Sequence, residues 1–230
     1  MTSPYFAAAI QFVHAHLSTR DVATAQQRYR FQHCLRVAAI GRAVAEEEGL
    51  DADTLELACV LHDVGKFDPT WHVDHGRVGA KLARGFLEEQ GASPALVNEI
   101  CQGIAMHTDG RWNYPPQSPD YTGAIDYSDE PSVLARSVGD CDNVDRFGAY
   151  RVYDTLQYVD FLGMDLEEQL SFIAGYRQRL VREREYTCAT DACERRWIEA
   201  LDAQDAYFAA LEAQIAAALP GTLLLPEQRG

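Results

Sequence analysis

An all-α fold is predicted for this chain on three observations. Apolar residues recur at three- and four-residue steps through almost every segment longer than ten residues. No run alternates apolar and polar residues between tight glycine turns, so no strand is indicated. Helix start and stop signals also sit where the periodic segments begin and end.

Taken in order, Val37, Ile40, Val44 and Ala45 form an apolar stripe behind His33, closed by Gly49. A second helix is expected from about Asp53 to Gly65, with Leu57, Ala58, Leu61 and Val64 on one side. Asp74 is placed to cap a third, which carries Val78, Leu82, Phe86 and Leu87 and stops at Gly91. Ser93 caps a fourth, with Pro94 at its first position and Val97, Ile100 and Ile104 aligned. A fifth opens with Pro131 and runs through Leu134, Val138 and Val144. Two long amphipathic helices, roughly 152–184 and 192–218, finish the chain; Trp197, Leu201, Phe208, Leu211 and Ile215 share a stripe of the last.

No repeat or linker divides the sequence. The expectation is one domain over 1–230, its core at about 28–150, with the C-terminal helices packing on it. The exception to the helical pattern is 108–130, rich in proline and aromatic residues such as Trp112, Tyr114 and Tyr121. A loop of that length is either a solvated connector or a lid over a pocket.

Composition narrows the function classes. A hydrophobic fraction of 47% is that of a globular protein. No stretch approaches the ~20 apolar residues that span a bilayer, and the N-terminus does not read as a secretory signal. A cytoplasmic protein without a membrane partner is the default. Six cysteines at irregular spacing do not suggest a disulfide scaffold. The net charge of −15 argues against duplex nucleic acid as a partner. It leaves room for a small anionic substrate, because a bound cation reverses the local field.

The histidines carry the chemistry. His33 precedes Val37 by four and Ile40 by seven, so it projects on a buried stripe. His62 follows Ala58 by four, and His107 follows Ile104 by three and Ile100 by seven. Asp140 lies seven after Val133 and four before Val144, which makes it an inward carboxylate. A lone histidine on an apolar face is usually a core residue. Three of them, with inward Asp63 and Asp140, are costly to bury unless one cation compensates them together. Imidazole with carboxylate suits Mn, Fe, Co, Ni or Zn, or Mg with more water.

Leu61-His62-Asp63-Val64-Gly65-Lys66, with His33 29 residues earlier and an Asp on a later helix, resembles the HD superfamily of metal-dependent phosphohydrolases. The likeness covers about 28–150, and Asp140 to Ala149 is similar to an Asp-x-Asp-x-x-Asp-x-x-Gly-Ala stretch of small single-domain bacterial members. It implies an HD-type helical bundle, a metal held by His33, His62, Asp63 and Asp140, and hydrolysis of a phosphate ester. His75 and His107 resemble the extra histidines of members with a second metal, although Thr108 stands where some relatives have another histidine. One or two divalent ions are therefore open. Asp142 and Asp145 could orient ligands or cap backbone groups.

The remaining roles follow from these. Asp63 would position a water, and Lys66, with His75 or His107, would stabilise the phosphoryl charge or move a proton. Lys66 and Lys81 are the two lysines among twenty basic residues. Arg77, Lys81 and Arg146 are candidate phosphate clamps. A nucleotide or other small phosphorylated compound is the expected substrate, and a homodimer could use the long C-terminal helix. Two rivals stand beside the hydrolase: a mixed-valent di-iron oxygenase of the same fold, and a non-catalytic nucleotide sensor.

Overall fold

The computed structural model describes residues 3–68, 74–122 and 130–222, without the side chains of 219–222. The described residues form nine α-helices and no strand. They are α1 (Phe6–Ser18), α2 (Thr24–Glu48), α3 (Ala52–Leu61), α4 (His75–Glu89), α5 (Pro94–Met106), α6 (Val133–Arg146), α7 (Ala149–Tyr158), α8 (Leu166–Glu183) and α9 (Asp191–Thr222), with 3-10 turns at Gly110–Trp112 and Phe161–Gly163. None of them is long and apolar enough to cross a membrane.

The chain makes two compact units. The first holds Met1–Asp145 and takes back Thr187–Trp197; the second holds Arg146–Tyr186 and Ile198–Gly230. In the first unit α3 is the central element. It packs against α1, α2 and α5, and every residue from Thr54 to Leu61 is buried. A helix buried all round cannot rely on one apolar stripe. Leu55, Leu57 and Leu61, wholly buried, each contribute about 1.5–3 kcal/mol. They fix the C-terminal end of α3, where His62 and Asp63 follow.

Local signals set the other ends. Gly49 takes the left-handed conformation, φ 69°, that closes α2. The Asp51, Asp74 and Ser93 side chains accept from backbone N–H groups and start α3, α4 and α5. The fifth predicted helix begins at Val133 rather than Pro131, because Ser132 Oγ accepts from the Ala135 N–H. Of the 108–130 stretch, 123–129 lie outside the described residues. The part before them is tied down: the Asn113 carbonyl accepts from the Thr187 N–H at 2.8 Å.

The second unit corrects one expectation. The helix predicted over 152–184 is two helices, α7 and α8, because Asp160 is left-handed at φ 50° and Asp165 with Glu168 makes a reciprocal capping box that restarts the helix. Apolar periodicity alone passes over such a break; Gly163 and the Asp165-x-x-Glu168 pair are the local signals that mark it. Tyr176 donates to Gln204 at 2.7 Å and packs its ring on Phe208. The unit encloses an apolar cavity of about 710 Å³, lined among others by Val152, Leu156, Phe161, Ala203 and Tyr207.

Candidate metal centre

The chemistry gathers in the first unit. One face of α2 supplies Arg30, His33 and Arg36. The turn after α3 supplies His62, Asp63 and Lys66. The first residue of α4 is His75, the residue after α5 is His107, and α6 brings Asp142 and Asp145.

Two close approaches hold these elements in place. A Cβ on Gly65 would stand 2.3 Å from the His75 carbonyl oxygen and 2.4 Å from the Gly79 nitrogen, so only glycine lets the Asp63 turn lie against α4. A Cβ on Gly139 would be 3.1 Å from the His107 carbonyl oxygen, so α6 passes tightly over the end of α5.

The imidazoles share one arrangement. His33 donates from Nδ1 to Asp145 Oδ2 at 2.6 Å, His62 to the Cys59 carbonyl at 2.7 Å, and His107 to the Ile104 carbonyl at 2.6 Å. Each outward bond fixes the ring and its tautomer and leaves the Nε2 lone pair facing inward. Arg36 in turn donates to both oxygens of Asp145.

Those inward atoms converge. His33 Nε2 lies 2.9 Å from Asp142 Oδ1 and 3.7 Å from Asp63 Oδ2. His62 Nε2 is 3.6 Å from each of the same two oxygens. On the other side, Asp63 Oδ1 is 3.0 Å from His75 Nε2 and 3.7 Å from His107 Nε2, and the two imidazole nitrogens are 3.2 Å apart. Asp63 therefore turns one oxygen to each pair of histidines. Two sets of residues, His33–His62–Asp142 and His62–Asp63–His107, present donor atoms within 4.8 Å of one another.

Burial makes this arrangement expensive unless a cation completes it. His33, His62 and Asp140 are fully buried and Asp63 nearly so. His62 Nε2 is buried without a hydrogen bond, which costs about 1–3 kcal/mol. Borderline nitrogen donors beside carboxylate oxygens form a set that a divalent transition ion fits.

Protonation follows the same groups. Burial alone would lower the His33 pKa, but Asp142 and Asp145 outweigh it and raise it to about 9. Burial opposes ionisation of Asp63, yet Arg30, His62 and the two further histidines hold its carboxyl well below the usual range. His75 moves down, chiefly through burial.

Most of the expected site residues meet here. His33, His62, Asp63, His75 and His107 stand together, and Lys66 Nζ is 3.5 Å from His75 Nδ1. Asp140 is placed differently. Its oxygens accept from Asn113 Nδ2 at 3.1 Å and the Ala189 N–H at 2.7 Å, and Asp142 stands against His33 instead. Two residues along an α-helix is a rotation of about 200°, so the two carboxylates point to opposite sides. Spacing from Val133, which is exposed, and from Val144, which is half-buried, could not tell which side of α6 faced the histidines.

Among the candidate clamps, Arg77 is already committed. Arg77 forks onto Asp109 at 3.0 and 3.2 Å and reaches Asp74. Lys81 and Arg146 are exposed. Arg30, which donates to Asp63 Oδ2, was missed, though its place three residues before His33 puts it on the same helix face.

The HD domain family model matches residues 30–146. Ribonuclease Y from three strains of Clostridium perfringens is 35% identical over 79 residues, which is 34% of this chain and 14% of the relative. The chain thus matches only a small part of those proteins. A crystal structure of a predicted HD superfamily hydrolase from an uncultured Thermotogales bacterium superposes with a TM-score of 0.50 at 22% identity, over 78% of this chain and 93% of that one. At that identity it supports the fold.

Proposed function

This chain belongs to the HD domain family, matched over residues 30–146, and from that premise we propose that it is a metal-dependent phosphohydrolase. The observation that carries the reading is the common pose of His33, His62 and His107, each with Nδ1 bonded outward and Nε2 turned towards Asp63 or Asp142.

His33, His62, Asp63 and Asp142 are the residues that would hold a divalent ion. His75, His107 and the second oxygen of Asp63 are set for another. Bound there, such an ion supplies polarisation of a phosphoryl oxygen and acidification of a water. The chain's own groups do the rest. Asp145 and Arg36 keep His33 in the tautomer that offers Nε2. With one ion, His75, kept neutral by burial, moves a proton at Nε2. With two, His75 and His107 become ligands. Lys66, beside His75, places its ammonium where phosphoryl charge builds up.

The substrate class is a phosphate ester, and a small one such as a nucleotide is favoured. The matched relatives are named for action on RNA, but a net charge of −15 opposes an extended polyanion. Six donor residues also keep a di-iron oxygenase in view: His33, His62, Asp63, His75, His107 and Asp142.

The deciding experiment strips the protein with chelator and reloads it with Mn, Co, Zn or Fe. Phosphate release is then read over nucleotides, phosphomonoesters and bis(p-nitrophenyl) phosphate. Metal-dependent release is expected, and is lost in Asp63→Ala. Two irons after anaerobic purification, with oxygen consumption and no phosphate release, would overturn the hydrolase in favour of oxidation.

A further inference from the structure

We infer that Arg30 is the resident counter-cation of the metal-free centre, and that a metal ion binds by displacing it from Asp63. This rests on the metallohydrolase reading and concerns how the site is loaded.

The decisive geometry is that two claims fall on one atom. Asp63 Oδ2 is the oxygen that faces both His33 Nε2 and His62 Nε2, at 3.7 and 3.6 Å. An ion shared by those imidazoles would take that oxygen, and it is the oxygen that holds Arg30 Nη1. The other nearby cations have closer partners: His33 Nε2 is 2.9 Å from Asp142 Oδ1 against 3.7 Å from Asp63. Arg36 is bonded to Asp145, and Lys66 stands beside His75 on the Oδ1 side. Asp63 is 2% exposed at its side chain, and a carboxylate so buried needs a cation to stay ionised.

Arg30 meets that need in a form that can leave. Its side chain is 17% exposed, so the guanidinium can reach solvent. Its Nε is buried without a hydrogen-bond partner, so less holds it inward than a fully bonded fork would. Tyr29 offers a resting face, with the guanidinium 5.7 Å from its ring centroid. A guanidinium and a divalent ion on the same oxygen repel each other. The arginine compensates Asp63 in the stripped protein and opposes loading.

The two effects of removing Arg30 therefore have opposite signs. Chelator-stripped Arg30→Met should melt several degrees lower than the stripped wild type. It should bind Mn more tightly, by about ten-fold, read by calorimetry and by the Mn-induced rise in melting temperature. Arg30→Lys keeps the charge but loses the fork, and should give a smaller tightening in the same direction. If Arg30→Met does not fold, the lysine variant decides. Unchanged or weaker Mn affinity in the folded variants, with normal binding by the wild type, would overturn the assignment and make Arg30 a supporting partner of the bound ligand. A wild type that binds no Mn, Co, Zn or Fe would instead sink the metallohydrolase reading and this inference with it.

Discussion

Asp142 Oδ1 stands 2.9 Å from His33 Nε2, while the other nitrogen of the same ring donates to Asp145 at 2.6 Å. One imidazole is thus gripped from two sides by carboxylates three residues apart on α6. One faces the centre and one faces away from it.

This separates the roles of neighbouring aspartates. Asp142→Asn should remove a metal ligand and lower metal content and metal-dependent turnover at least ten-fold, and should also lower the melting of the stripped protein through the lost His33 contact. Asp140→Asn should spare the metal. It weakens the bonds to Asn113 and the Ala189 N–H, at about 1–3 kcal/mol, while metal stoichiometry persists. Elemental analysis beside thermal melting checks both, and equal loss of metal in the two variants would refute the distinction.

Asp145 is expected to act through His33. Asp145→Asn leaves Arg36 without its carboxylate and weakens the hold on the His33 tautomer. Loss of such an outer partner typically costs about 10–100-fold in metal affinity. Mn titration of the folded variant reads it directly, and wild-type affinity there would exclude the positioning role.

The pH dependence has a definite sign. With its pKa raised from the usual 6.5 to about 9, His33 contributes stability to the metal-free protein that is fully present below about 6.5 and is lost as pH rises through about 9. Metal binding needs the neutral ring, so affinity should climb across the same window and a proton should be released on binding. Asp63, held well below the usual carboxylate range, stays ionised throughout. Calorimetry in buffers of different ionisation enthalpy counts the proton. Affinity that is flat between these two pH values would contradict the linkage.

Arg77 should prove structural. Its bidentate pair with Asp109, whose side chain is 2% exposed, means that Arg77→Ala leaves a buried carboxylate with the more distant Arg111, at 3.9 Å. Breaking a buried pair in this way costs about 3–5 kcal/mol. Chemical denaturation should show that loss. A phosphate clamp would instead raise KM at unchanged stability.

Periodicity and end signals were enough to read an all-helical chain, because apolar spacing and capping chemistry act within a few residues. The caps at Asp74 and Ser93 and the stop at Gly49 appear where local chemistry puts them. The same spacing put His33, His62 and His107 on inward faces, and the His-Asp doublet joined them to a family. The break between α7 and α8 does not follow from apolar spacing; its signals are Gly163 and the Asp165-x-x-Glu168 capping box.

Tertiary structure decided the questions that depend on which interior a buried side chain faces. Asp140 read as the inward carboxylate and Asp142 as a residue that orients ligands or caps backbone groups, and only the packing of α6 over the end of α5 shows that Asp142 meets His33 while Asp140 meets Asn113. Arg30 carried no role in the sequence reading, and Arg77 read as a phosphate clamp. Their partners, Asp63 and Asp109, come from other elements and make one a claimant on the centre and the other a strut. The sequence by itself determined the helices and the kinds of donor. Contacts between elements distant in the chain decided which donors share one centre, because no local rule reports them.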